Sequence, residues 1–160
     1  MTRRRELRTE AIGAAYDRYA AGLFRYAVVM LGDPSAAADA VHHVFAAWLE
    51  GAGAVDNEAH YLRRAVRNQC FSALRRRRRE AAAPILEPID PAGANTEQQI
   101  ALERMLLALP AEQREVVHLK IFEGMTFQEI ADATGESINT IASRYRYAIE
   151  KMRGILQEGS

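Results

Sequence analysis

The sequence predicts an all-α protein made of two small helical domains joined by a proline-rich linker. Three observations carry that expectation. Apolar residues recur at spacings of three and four in both halves of the chain, and no stretch alternates with the period of two that a half-buried strand requires. Residues 81–97 hold three of the five prolines, Pro84, Pro88 and Pro91, each lacking an N–H and biasing its predecessor away from helix. Capping signatures then reopen helices beyond that segment. The expected boundaries are 1–80, a linker at 81–97, and 98–160; each block is small for an isolated core.

The elements follow in order. Tyr16, Tyr19, Leu23, Tyr26 and Met30 share one face of a first helix, which Gly32-Asp33-Pro34 ends. Asp33 caps the second helix, with Pro34 at its first position. Ala37, Val41, Val44, Phe45 and Trp48 make its buried stripe, and Gly51-Ala52-Gly53 stops it. A third helix runs from about Glu58 to Arg79, with Leu62, Ala65, Val66, Gln69 and Ala73 on one side. Past the linker, Thr96-x-x-Gln99 opens a helix that Pro110 breaks after Leu109. Another runs from Ala111 to about Glu123 and stops at Gly124. Thr126-x-x-Glu129 opens a short helix through Thr134, Gly135 turns the chain, and Ser137 caps a final helix to about Leu156. A short helix, a glycine turn and a longer capped helix are the layout of a helix-turn-helix, with Ile130, Ala131, Ile138 and Ile141 packing the pair.

Composition narrows the function. The 160 residues carry 21 Lys+Arg and 21 Asp+Glu, so bulk charge alone cannot hold nucleic acid. The charge is uneven, however. Residues 1–80 hold 14 Arg against 9 acids, a net of +5, and no Lys precedes Lys120. Arginine suits bidentate phosphate or base-edge contact, and a GC-rich genome enriches it as well. The single cysteine, Cys70, excludes an internal disulfide framework and a cysteine zinc cluster and reads as a small buried hydrophobe. No long apolar run is present, so neither a signal peptide nor membrane insertion is expected, and the expected location is cytoplasmic. No catalytic triad spacing, phosphate-cradling glycine loop or paired carboxylates stand out, so neither enzyme activity nor a cofactor is expected. His42 and His43 point about 100° apart on a helix and make no metal site; His60 and His118 read as surface or boundary residues.

Three surfaces are candidates for binding. On the third helix Arg63, Arg64, Arg67, Asn68, Phe71, Arg75, Arg78 and Arg79 fall opposite the apolar stripe. A solvated arginine face near a helix C-terminus is the plain alternative. An exposed Phe71 inside a cationic stripe has no packing purpose, whereas an unstacked base can stack on it. On the last helix Ser137, Asn139, Thr140, Ser143 and Arg144 lie near the exposed start, with Arg146 and Lys151 placed for phosphates; a major groove admits such a helix. A generic helical hairpin is the alternative there. The outward face of the second helix carries Asp39, His42, His43, Ala46, Ala47 and Glu50, and its alanines suit close protein contact as well as a bland surface.

These pieces, in their order and spacing, resemble a bacterial sigma factor of the extracytoplasmic-function (ECF) group over roughly residues 10–80 and 98–156. Gly32-Asp33-Pro34, Ala38-Asp39-Ala40-Val41 and Val44-Phe45-Ala46-Ala47-Trp48 resemble the core-polymerase-binding helix of the region-2 domain. Tyr61-Leu62, Val66-Arg67-Asn68 and Ala73 to Arg79 resemble its promoter-melting helix. Leu109 to Val116, Phe122 to Thr126, Glu129-Ile130-Ala131, Gly135, Ser137, Thr140-Ile141 and Ser143-Arg144 resemble the region-4 helix-turn-helix. The resemblance implies that the second helix binds the polymerase clamp. It implies that the third helix and the loop around residues 51–60 engage the minus-ten element, with Asn68 beside a base flipped from the non-template strand. It places the last helix in the major groove of the minus-thirty-five element, and it brings an inhibitory anti-sigma partner as a family expectation. The chain departs from the family pattern at His42-His43 (commonly Gln then an acid), Ala47 (commonly basic), Tyr61 (commonly Trp), Ser72 (commonly Asp), Thr134 and Glu136 (commonly apolar) and Ala142 (commonly Lys or Arg). A stand-alone helix-turn-helix regulator and a sigma-derived interaction adaptor remain as alternatives at this point.

Overall fold

The computed structural model describes residues 2–51, 55–80 and 96–159. Most of the expected linker, with Ala52 and Gly53 of the expected helix stop, lies outside the described residues. The chain divides into two units, Met1–Pro84 and Ile85–Ser160. Its described residues form seven α-helices and no strand.

The first unit packs α1 (Thr2–Leu31), α2 (Pro34–Glu50) and α3 (Glu58–Arg79) around one core. Gly32 takes a left-handed φ of +68° and ends α1. The Asp33 carboxylate then accepts from the Ser35 N–H at 2.9 Å, and the Asn57 side-chain oxygen accepts from His60 N–H at 3.0 Å to start α3. Met30, Leu31, Ala37, Leu62, Val66 and Cys70 are almost wholly buried, joined by Val41, Val44, Phe45 and Trp48. Each large apolar side chain so placed contributes about 1.5–3 kcal/mol. Trp48 packs obliquely between Phe45 and Tyr61, at centroid distances of 6.3 and 5.8 Å. Two arginines tie helix ends together. Arg8 Nη2 donates to the Trp48 carbonyl at 2.7 Å, and Arg77 Nη1 donates to the Leu31 carbonyl at 2.6 Å. Each satisfies a carbonyl orphaned by a helix C-terminus.

One expectation for α1 needs correction, and its start, which the apolar stripe does not mark, lies at Thr2. Residues 2–11 bury little; strong helix formers and the Arg8 contact extend it. Tyr16, expected in the stripe, is 39% exposed. Its ring edge packs on Phe45 while its hydroxyl stays at the surface, 3.4 Å from His42 Nε2.

The second unit holds α4 (Glu97–Leu107), α5 (Ala111–Val117), α6 (Phe127–Thr134) and α7 (Ile138–Glu158). Full capping boxes at Thr96/Gln99 and Thr126/Glu129 start α4 and α6. Leu106, Leu109, Val117 and Ala148 form a buried cluster, flanked by Leu102 and Met152. Ile130, Ala131 and Ile141 seal α6 against α7, and Phe127 meets Tyr145 edge-on at 5.4 Å. Gly135 makes the turn between them at φ +76°, a conformation that costs any residue with a Cβ.

The sequence expected one continuous helix from Ala111 to Glu123. Instead α5 widens into a π-helical turn over His118–Phe122, marked by the Glu123 N–H bonding the His118 carbonyl five residues back at 3.1 Å. The extra residue shifts the helix register, so His118 and Leu119 are buried while Ile121 and Phe122 face outward. His118 is thus a core residue, stacked on Phe122 at 5.8 Å, and not the surface or boundary residue expected. Ile138 also departs from expectation: at the first position of α7 it is 43% exposed and does not join the seal. Thr134 is buried without loss, since its hydroxyl donates to the Ile130 carbonyl at 2.8 Å.

Candidate nucleic-acid and polymerase interfaces

The α3 helix separates two chemistries. Leu62, Val66 and Cys70 are fully buried on one side. On the other, Arg64, Asn68, Arg75, Arg78 and Arg79 are exposed and Arg63 and Arg67 half-buried. Phe71, expected to stand exposed, is half-buried. The Arg67 guanidinium covers its ring at 4.7 Å from the centroid, a cation–π contact that shields one face. Phe71 is therefore outside the core yet not bare. Arg77 is diverted from the basic face to the end of α1, and Arg75 donates to the Ser72 hydroxyl at 3.0 Å. A run of five arginines, Arg75 to Arg79, so splits between structural and solvent-facing roles.

The α2 helix presents Asp39, His42, His43, Ala46, Ala47 and Glu50, all exposed, opposite its buried stripe. Sequence reasoning missed that this surface continues onto α1. Tyr16 lies nearly parallel to the His42 ring, 24° between planes and 6.4 Å between centroids. Spacing alone places Tyr16 in the core stripe, and only the packing of α1 on α2 reveals its position.

At the start of α7 the Ser137 hydroxyl accepts from the Thr140 N–H at 3.1 Å and lies 2.9 Å from the Thr140 hydroxyl. These two side chains are thus engaged in capping. Asn139 and Arg146 are exposed, and Thr140, Ser143 and Arg144 half-buried. Arg146 lies over the Tyr147 ring at 5.2 Å. Arg144 Nη2 pairs with Glu136 Oε1 at 3.4 Å, a partner that sequence spacing did not suggest. At the start of α6, the capping box holds the Glu129 carboxyl below its ordinary value of 4.5, chiefly because it accepts from the Thr126 N–H and lies against the Thr126 hydroxyl.

A face with arginines around an accessible Asn, on one unit, and a capped helix-turn-helix on the other define a helical nucleic-acid-binding protein of two modules. Comparison with known families sharpens that class. Residues 15–80 match the model "Sigma-70 region 2", and residues 99–152 match "Sigma-70, region 4". The chain is 31% identical over 156 residues to the ECF RNA polymerase sigma factor SigL of Mycobacterium tuberculosis, covering 91% of this chain and 88% of SigL. It is 30% identical to SigM of the same organism, over 76% of this chain and 66% of SigM. Among solved structures, the sigma factor RpoE of Bartonella quintana, in complex with the anti-sigma factor NepR, is 25% identical with a TM-score of 0.70, covering 85% of this chain and 90% of that one. CnrH, in complex with the cytosolic domain of CnrY, shares the fold at 22% identity and a TM-score of 0.68, over 95% of this chain and 91% of that one. The chain belongs to the ECF sigma factors. It binds core RNA polymerase and recognises promoters, and it is a transcription-initiation factor, not an enzyme; the stand-alone regulator and adaptor readings are not favoured. Among the described residues, no helix is long and apolar enough to cross a membrane.

Proposed function

We propose a division of labour between the two units, with residues 1–80 binding the polymerase clamp and the minus-ten element and residues 98–160 binding the minus-thirty-five element. The face of α2 at Asp39, His42, His43, Ala46, Ala47 and Glu50 docks on the clamp. The outer face of α3 takes the opened non-template strand, with Arg63, Arg64, Arg67, Arg75, Arg78 and Arg79 on phosphates and Asn68 and Phe71 on bases. The start of α7 reads the upstream duplex through Ser137, Asn139, Thr140, Ser143, Arg144 and Arg146.

One observation supports the α3 assignment above the others. Asn68 is exposed at the centre of an arginine-lined face whose reverse side is fully buried. Melting is then differential binding. Unstacking a base costs a few kcal/mol, offset by stacking and hydrogen bonds that only an open strand offers. The cation over Phe71 does not block this role, since an arginine plane can itself stack on a base or release the ring to one. Zero net charge fits a protein whose partner supplies much of the DNA affinity. A cytoplasmic location follows from work on chromosomal promoters, and an anti-sigma partner is supported by the RpoE–NepR complex.

Run-off transcription with core polymerase and genomic fragments tests this reading. Defined start sites that depend on the protein are expected. Their absence, beside an active control sigma factor, overturns it.

A further inference from the structure

We propose that Glu136 is a positioning residue of the helix-turn-helix, which holds Arg144 against the protein and competes with DNA for it. The inference rests on the reading that α7 docks on promoter duplex. Glu136 occupies the turn immediately before the Ser137 cap, and its Oε1 lies 3.4 Å from Arg144 Nη2. The Arg144 side chain is only 23% exposed. Its other terminal nitrogen, Nη1, is buried and makes no hydrogen bond among the described residues. Arginine on a helix leans back toward the N-terminus, here toward the edge where a duplex would meet α7. The guanidinium is therefore parked, with one nitrogen on a carboxylate and the other shielded from water without an acceptor.

That arrangement is poised. A buried donor without an acceptor is unfavourable. A phosphate or a guanine edge offers two acceptors in the geometry of the guanidinium fork. DNA satisfies both nitrogens where Glu136 satisfies one, yet the carboxylate contact must first be surrendered. Any duplex that offers only diffuse negative charge gains little from Arg144, so Glu136 restrains sequence-independent binding.

Glu136 also repels phosphates through its own charge, so the test must separate the two effects. The full chain is titrated with a labelled random-sequence duplex across a salt series, as the parent, Glu136→Ala, Arg144→Ala and the double variant, with helicity confirming that each folds. Glu136→Ala is expected to tighten binding about threefold to fivefold at low salt, the range of a partly exposed ion pair. It should also steepen the slope of log affinity against log salt by about 0.9, one added phosphate contact. Glu136→Gln, which keeps the shape of the side chain, should shift both in the same direction. In the Arg144→Ala background, where only that repulsion is relieved, Glu136→Ala should tighten binding clearly less and leave the slope unchanged. Equal tightening in both backgrounds would mean that Glu136 acts by repulsion alone and overturns the proposal. So does an unchanged slope in the single variant. An Arg146→Ala variant, which removes the exposed arginine of α7, that binds like the parent overturns the docking reading of α7 itself, a separate outcome.

Discussion

Asn68 and Arg67 occupy neighbouring positions on α3 but carry different loads. Asn68 is exposed and supports no packing, whereas Arg67 covers Phe71. Asn68→Ala should lower open-complex formation about fivefold to tenfold, the scale of a lost hydrogen bond, with clamp binding unchanged. Arg67→Ala should impair opening likewise, measured by permanganate reactivity of unpaired thymines and by polymerase pull-down. Equal loss of polymerase binding in both variants contradicts the assignment. Glu129 gives a pH prediction. Its carboxyl is held below the ordinary value in the folded state, so its contribution is full above that value and disappears as pH falls through the lowered one. Urea unfolding of the parent and Glu129→Ala should therefore differ at neutral pH and converge in acid. The basic face was legible because arginine at helical spacing needs only projection. The depth of Phe71 was not, because it depends on where one neighbouring guanidinium settles.

At the scale of elements, local chemistry made the helix starts readable. Asp33, Thr96, Thr126 and Ser137 bond to backbone N–H groups two or three residues ahead, so no tertiary knowledge is needed to place them. The π-helical turn at His118–Phe122 was illegible for the opposite reason. It trades regular bonding for a register that buries His118 and Leu119, and only packing decides that trade. The first residues of α1 bury too little to leave a periodic signature. The turn of the helix-turn-helix depends on Gly135. Gly135→Ala should destabilise the second unit by about 1–2 kcal/mol, since alanine pays the left-handed penalty, and calorimetry reads the shift.

The whole molecule contains two compact units with separate buried cores and a single tryptophan, Trp48, in the first. Damage to one core should be read in that core. Ile141→Ala should cost about 2–5 kcal/mol in the second unit and shift the helicity transition while leaving the Trp48 fluorescence transition in place. Leu62→Ala should move the Trp48 transition by a similar amount. Coincident shifts of both signals in both variants would show one cooperative system in place of two. The two-block plan was legible because prolines punctuate the chain between blocks of helical periodicity. Membership in the ECF family gives the whole molecule its partners, RNA polymerase and promoter DNA, where surface chemistry alone specifies only contact with nucleic acid and with protein.

The two-sided build of α3 has a bearing on how such proteins diversify. Side chains such as Arg64 and Asn68 have no share in the interior, and exchanges at positions of that kind usually change stability by about 0.5 kcal/mol or less. On the proposed docking of the opened strand on α3, lineages can rewrite which genes are switched on by altering a few outward letters, while Leu62, Val66 and Cys70 keep the scaffold constant. The same separation offers a place to graft new start-site preferences onto an unchanged frame.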